Sequence, residues 1–461
     1  MRLANATLAQ LSAEIACPDY ARDEQQVGIA HLGIGAFHRA HQAVYTDRAM
    51  GAGARDWGIL GVSLRSPEVA ERLNPQDGWY LVNERSDRGG RIQLVGAVQR
   101  VLVGPSDATT VEQALAASTT HIVSFTITEK GYCRLPDGSL DLELARRSGL
   151  YPLLLAAFRA RRKLSRPGFT LLCCDNLPAN GRVLQALMEQ FLAAEAPEML
   201  SWFREECACP STMVDRIVPA TTPADIAAVL EMAGLEDQGL VVTEEFSQWV
   251  IEDRFAGPRP PWEKVGAQLV TDVHAYETAK LRLLNGAHSA LAYLGLARGY
   301  RFVHEAVADP VLRNTVESLM KNEAASSVAA APGMDLRSYA DALLARFANP
   351  SLNHRLEQIA MDGSQKLPQR WLQTLAFHQA AGRECPALLR ALGAWLLHIR
   401  GDARVVEDPL AAALKKVWDA AGTDTIVPAL FGHGGLMASD WLPTPSEAAA
   451  IQQVILAEGR V

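Results

Sequence analysis

Val27-Gly-Ile-Ala-His-Leu-Gly33-Ile-Gly35-Ala-Phe37-His38-Arg39 opens as a short apolar strand, turns at two glycines and runs into a segment, Ala40 to Met50, with helical spacing. Strand, glycine turn and helix make the geometry in which backbone N–H groups and a helix N-terminus receive a pyrophosphate. Glycine stands where the chain turns tightly and approaches the phosphates. The third glycine of the G-x-G-x-x-G pattern is absent, because His38 stands there. Taken alone the turn is a weak signal, and a strand-to-helix turn without a ligand fits it nearly as well.

Outward from it, Gly58-Ile-Leu-Gly-Val-Ser-Leu64 reads as a second strand ending in Arg65-Ser66-Pro67. An Asp or Glu at that strand end selects NAD by bonding the adenosine ribose; here Arg65 occupies the area and Glu68 is the nearest acid, so residue chemistry leaves NAD or NADP open. Strand-like runs follow at 79–82, 92–103, 122–128, 169–173, 213–218 and 240–243, interleaved with helical segments at 108–117, 151–163, 183–194 and 223–232. Strands alternating with helices predict a largely parallel, doubly wound α/β sheet of Rossmann type, in which ligands bind beyond the carboxyl ends of the strands. The residues to watch are therefore Thr128-Glu129-Lys130-Gly131, Asp175-Asn176-Leu177-Pro178 and Val214-Asp215-Arg216. Singly, each fits a cap or turn equally well.

The chain has 461 residues, too many for one ordinary core, and two domains are expected. Hydrophobic residues make up 49% and charged residues 21%, as in a soluble globular protein. A net charge of -8 leaves no basic footprint for nucleic acid or anionic membrane, and no apolar run reaches the ~18 residues of a spanning helix. The first twenty residues, with Leu3, Leu8, Leu11 and Ile15, read as an amphipathic helix rather than a signal peptide. The seven cysteines lack zinc-finger spacing, and buried thiols in a reducing cytoplasm are expected. His38 and His41, at i and i+3, have no third ligand at a characteristic spacing, so no metal is expected.

Gly257-Pro-Arg-Pro-Pro261 breaks regular structure, and from about residue 271 nearly every segment reads as helix. The domains are therefore expected at 1–270 and 271–461. Asp362-Gly-Ser-Gln-Lys366-Leu-Pro-Gln-Arg370 reads as a turn-rich interruption of the helical half. Within that half, Lys280-Leu-Arg-Leu-Leu-Asn285-Gly-Ala-His288 forms a helix with an apolar stripe at Leu284, Ala287, Leu291 and Leu294. At about 100° per residue, Glu277, Lys280 and His288 share an arc of roughly 80°, with Asn285 about 60° from His288. A lysine at the edge of a buried stripe loses hydration, so its pKa falls toward neutrality and it can act as a general base. An amide and an imidazole beyond it can donate hydrogen bonds to a substrate oxygen as charge develops there. The alternative is a snorkelling lysine beside a satisfied boundary histidine.

HLGIGAFHRAHQAVYTD (31–47), TITEKGY (126–132), CDNLPANG (174–181), MVDRIVPATTP (213–223), QWVIEDRF (248–255), KLRLLNGAHSALAYLG (280–295) and DGSQKLP (362–368) together resemble the polyol-specific long-chain dehydrogenases, the mannitol dehydrogenase family. The likeness spans nearly the whole chain. It implies a zinc-independent, nicotinamide-dependent secondary alcohol dehydrogenase with a Rossmann-type N-terminal domain and a helical C-terminal domain carrying the catalytic helix. In the family K-x4-N-x2-H is the catalytic signature, met here by Lys280, Asn285 and His288. The resemblance implies that Lys280 exchanges the alcohol proton, that Asn176 and Asn285 form an oxyanion hole, that His288 orients the hydroxyl and that Glu277 assists the lysine. Asp215 and Lys366 align with substrate-contacting positions. The cofactor set is Gly33, Gly35, Phe37, His38, Arg39, Arg65, Thr128, Lys130 and Asn176, and NAD is the cofactor implied, with NADP still open.

The substrate is expected to be a small sugar acid or polyol. Gln358 stands where mannitol 2-dehydrogenases typically carry an arginine, and the region Asn349 to Arg355 with Lys366 to Arg370 looks more like the fructuronate reductase branch. Arg370 or Arg355 would pair a uronate carboxylate. D-fructuronate reduction to D-mannonate is therefore favoured over mannitol and fructose, with tagaturonate reduction a further alternative. A non-catalytic sensor of NAD or sugar acid is the competing class; the set of Lys280, Asn285, His288 and Asn176 speaks against it. The oligomeric state, a monomer included, is left open by the sequence.

Overall fold

In the computed structural model, which describes residues 1–86 and 89–459, the chain divides into two compact units, Met1–Val273 and His274–Val461. The first has eleven strands among its described residues: β1 (Val27–Leu32), β2 (Gly58–Ser63), β3 (Tyr80–Ser86), β4 (Gly89–Val95), β5 (Val98–Val103), β6 (Ile122–Phe125), β7 (Thr170–Cys173), β8 (Thr212–Asp215), β9 (Val241–Glu244), β10 (Gln248–Glu252) and β11 (Gln268–Val270). Five of them form a parallel sheet in the order β5-β2-β1-β6-β7. Successive residues of these strands face opposite sides: Ile29, Ile59 and Ile122 enter one apolar layer, Ala30, Leu60 and Val123 the other. Burial on both faces is why the strands are continuous apolar runs without alternation. The chain adds β2 and β5 on one side of β1, and β6 and β7 on the other. The direction reverses between β1 and β6, and the crevice outside the carboxyl ends of those two strands is the ligand position of such sheets.

The expected doubly wound sheet is thus present, with two additions. β4-β3-β9 and β11-β10-β8 are separate three-stranded mixed sheets. The run expected at 92–103 divides at Gly96, where a Cβ would lie 2.4 Å from the Trp79 ring and no side chain fits. The expected helix from Ala40 to Met50 is two helices, Ala36–Ala40 and Gln42–Gly51, broken at His41. The amphipathic helix expected in the first twenty residues shrinks to a 3-10 segment, Asn5–Gln10.

The second unit is helical. Its central helix, Gly286–Ala297, is buried from Gly286 through Leu296, so the expected single stripe understates it: the helix is covered on all sides. Helices Val303–Ala308, Leu356–Ala360 and Pro386–Arg400 pack around it. Among the described residues three segments are π-helical, Lys280–Asn285, Leu319–Ala324 and Pro368–Leu372, and the first packs against both others. The expected turn-rich interruption at Asp362–Arg370 is helical from Gly363 onward. Asp362 supplies the left-handed residue before it (φ 56°), and the π segment begins at Pro368, which has no N–H to give the regular ladder of the helix it continues.

Candidate active site

At the carboxyl end of β1, Gly33 has φ 93°, and a Cβ there would lie 2.2 Å from the Thr126 carbonyl oxygen; only glycine fits. Gly35 is exposed, and a Cβ on it would meet nothing nearer than 3.8 Å, so its backbone is open to a ligand. A narrow turn followed by an approachable backbone, at the switch of strand direction, fits a dinucleotide pyrophosphate. Phe37 is half-buried and stacks on His41. His38 and Arg39 turn inward instead. His38 is fully buried and stacks on His31 with ring centroids 3.4 Å apart, and burial holds its pKa well below the usual value. Arg39 donates to the Gly239 carbonyl and accepts from Tyr80 Oη through its own carbonyl at 2.8 Å. Both residues hold the fold beneath the turn, and a direct contact with a nucleotide does not fit their burial. Arg65 is exposed just beyond the end of β2.

The strand-end segments after β6 and β7 are joined by one carboxylate. Asp175 accepts the backbone N–H groups of Ile127 (3.0 Å) and Thr128 (2.9 Å) and the hydroxyl of Tyr132 (2.6 Å). This clamp holds Thr128 at φ 63°, ψ 165°, a conformation a β-branched residue avoids. Thr128, Lys130 and Asn176 are consequently presented on exposed backbone at the strand ends. Burial raises the pKa of Asp175, while its three donors oppose the shift. In the sequence Asp175 carries no signal of its own beyond its place beside Asn176 in a strand-end segment. Asp215 ends β8 and is buried, on the mixed sheet rather than the parallel one.

In the second unit, Glu277, Lys280, Asn285 and His288 are all 6–9% exposed. The π turn alters their phase. The Gly286 N–H reaches back five residues to the Leu281 carbonyl, which inserts one residue into the turn. In a regular α-helix Asn285 would stand about 140° from Lys280; with the extra residue it stands about 40° away, where i+4 normally lies. His288 comes within roughly 20° of Lys280 by the same count, closer than the expected arc. Base, amide and imidazole therefore form one row.

That row contains two buried side-chain nitrogens without partners among the described residues, Asn285 Nδ2 and His288 Nε2. The His288 ring lies 4.5 Å from that of Phe347 and 5.3 Å from that of His354. Burial first, then the charges of His354, Arg346, Arg370 and Lys280, hold its pKa well below the usual value, so the imidazole is neutral near pH 7. A neutral ring has one N–H to give. Arg370 donates through Nη1 to Ser289 Oγ (2.8 Å) and the Asn285 carbonyl (3.3 Å), which places it against the signature. Lys366 is half-buried and donates to the Met361 carbonyl. Arg355 does not join them: it is exposed and paired with Glu357 at 2.7 Å. Arg346, next to His288, carries no sequence signal of its own, and His354 lies in the stretch Asn349 to Arg355 without being singled out there. Among the described residues no group of three His, Cys, Asp or Glu forms a metal cluster, and no helix is long and apolar enough to cross a membrane.

Comparison with known proteins places the whole chain. The mannitol dehydrogenase Rossmann domain matches residues 27–264, and the mannitol dehydrogenase C-terminal domain matches residues 272–436. The chain is 38% identical to the D-mannonate oxidoreductase of Escherichia coli (strain K12), with 97% of each chain covered. It is 37% identical to a mannitol 2-dehydrogenase of Aspergillus terreus, over 94% of this chain and 93% of that one. The solved Pseudomonas fluorescens mannitol 2-dehydrogenase, a ternary complex with NAD and D-mannitol, is 34% identical. It superposes with a TM-score of 0.87 over 99% of this chain and 96% of that one.

Proposed function

Since the chain belongs to the mannitol dehydrogenase family of oxidoreductases, we propose that it interconverts a secondary alcohol and a ketone on a sugar acid with NAD as cofactor, in its best-supported form reducing D-fructuronate to D-mannonate. The observation that carries this reading is the row of Lys280, Asn285 and His288 with Arg370 and Arg346 beside it. The row offers a base and two unpartnered buried donors, and the cations around it suit a substrate with a carboxylate. The likeness to D-mannonate oxidoreductase points the same way.

In this reading Lys280 Nζ takes the hydroxyl proton during oxidation and returns it to the carbonyl oxygen during reduction. Asn285 Nδ2 and the N–H of neutral His288 stabilise the alkoxide. They are worth more there than in water, because burial has removed competing solvent. Asn176 is assigned to the same oxyanion, Glu277 to proton exchange with the lysine, and Asp215 and Lys366 to the substrate hydroxyls. Arg370 is assigned to the carboxylate; Arg355, exposed and paired with Glu357, leaves the list. Gly33, Gly35, Phe37, Thr128, Lys130 and Asn176 would hold the dinucleotide, and Arg65 lies beyond the strand end where an acid would select NAD. When bound, the nicotinamide supplies or accepts the hydride. The second reading, D-mannitol and D-fructose, is favoured by the overall likeness to mannitol 2-dehydrogenases.

The test follows NADH and NADPH oxidation at 340 nm with D-fructuronate, D-tagaturonate and D-fructose. Highest kcat/KM on D-fructuronate with NADH is expected. Lys280→Ala should lower kcat by roughly 10²- to 10⁴-fold. Arg370→Ala should raise the uronate KM about 10- to 100-fold, with a smaller loss of turnover on fructose from the missing bond to the Asn285 carbonyl. Preference for fructose would move the substrate to the polyol side, and no turnover in any combination would return the sensor reading.

A further inference from the structure

The π turn of Lys280–Asn285 is held from outside its own helix. A π turn is a rare departure from the regular ladder, and hydrogen bonds from a neighbouring segment can hold its end in place. Two donors come from one neighbouring segment. Trp371 Nε1 donates to the Gly286 carbonyl at 3.0 Å, and Arg370 Nη1 donates to the Asn285 carbonyl at 3.3 Å. Both belong to the π segment Pro368–Leu372, which packs directly against Lys280–Asn285. The same solution recurs at Leu319–Ala324, where the Glu323 carbonyl accepts from His378 Nε2 at 2.7 Å.

We infer that Trp371 is a positioning residue for the reaction: its indole N–H stabilises the π turn and thereby keeps Asn285 on the face of Lys280. The inference rests on the reading of Lys280 and Asn285 as the reacting groups. Gly286 opens a regular α-helix, so the indole bond is an additional tie on the end of the turn, and without it the competing arrangement of Lys280–Asn285 is the regular α ladder. Relaxation to it returns Asn285 to about 140° from Lys280, so base and oxyanion donor no longer serve one oxygen. Trp371 is fully buried, contributes no atom to the row and has one hydrogen-bonding group, which is already spent on this carbonyl.

The molecule contains its own control. Trp395 is equally buried in the same unit, and its Nε1 has no partner among the described residues. Trp371→Phe and Trp395→Phe remove a similar indole ring, but only the first removes the bond to Gly286. Expected is a fall in kcat of about tenfold or more for Trp371→Phe at unchanged KM for NADH, with Trp395→Phe within about twofold of wild type. The crystal structure of Trp371→Phe should show Lys280–Asn285 as regular α-helix, a readout independent of activity. A retained π turn with unchanged kcat, or equal losses in both variants, overturns the inference. If Lys280→Ala stays active the catalytic reading fails, and the backbone of Trp371→Phe still decides whether the indole holds the turn.

Discussion

Thr128 and Lys280 illustrate two ways in which a single residue is set by its surroundings. Thr128 is exposed yet held at positive φ by the Asp175 clamp, and such a conformation costs on the order of 1–3 kcal/mol for a residue with a branched Cβ. Glycine adopts it without strain, and little packing is lost because the side chain faces solvent. Thr128→Gly should therefore raise Tm by a few degrees in thermal unfolding; a lower Tm would mean that the side chain makes contacts that outweigh the strain. Lys280, Asn285 and His288 were legible as a set because their spacing is a family signature. The clamp was not, because it unites residues 127, 128, 132 and 175, and only sheet pairing of β6 with β7 brings them together. His38 and Arg39 were legible as following a glycine turn, but not as inward-facing. Their direction depends on the helix break at His41 and on the Gly239 carbonyl two hundred residues away.

Among the elements, the central helix of the second unit shows where periodicity misleads. A uniform 100° per residue places the signature correctly in a helix but misjudges its faces, since the π turn shifts everything after it by one residue. Gly286, immediately after the turn, stands in ordinary helical conformation (φ -63°). A Cβ there would make only normal contacts, with its nearest neighbour, the Arg370 carbonyl oxygen, at 3.5 Å. Close backbone packing is thus not what places glycine at 286. Gly286→Ala should be accommodated and stabilise the unit by up to about 1 kcal/mol through helix propensity. Denaturant unfolding measures this, and a loss of stability would show that the turn needs the freedom of glycine.

For the whole molecule, the buried histidines set the response to acid. Burial is the main cause in each case: His31 is lowered to about 3, His354 and His398 to about 4, and His38 and His288 lie well below the usual 6.5. Once the pH falls below 6.5 the unfolded chain binds protons that the folded chain refuses, so stability is lost as pH falls from about 6.5 toward 4. Asp47 and Asp237, raised to about 6 by burial, act in the opposite sense, because there the folded state binds the extra proton. Asp175 and Glu323, also raised by burial, join the carboxyl side and His121, lowered by burial, the histidine side; six histidines outweigh four carboxyls, and Tm should drop between pH 7 and pH 5. A Tm that is flat or rises over that interval would contradict the buried, neutral state of these rings.

What the sequence determined by itself was the kind of protein. Apolar strand runs interleaved with helices, a glycine turn after the first strand and a K-x4-N-x2-H signature are local patterns, readable because period and spacing act over a few residues. The tertiary structure decided which of those residues do what. The Gly239 carbonyl drew Arg39 inward, Asp175 gathered two strand ends, and residues 370 and 371 gave donors to the carbonyls of Asn285 and Gly286. Each of these is a hydrogen bond between buried or partly buried groups far apart in the chain. Its cost when unmade is large enough to overrule local preference, and nothing in local spacing records it.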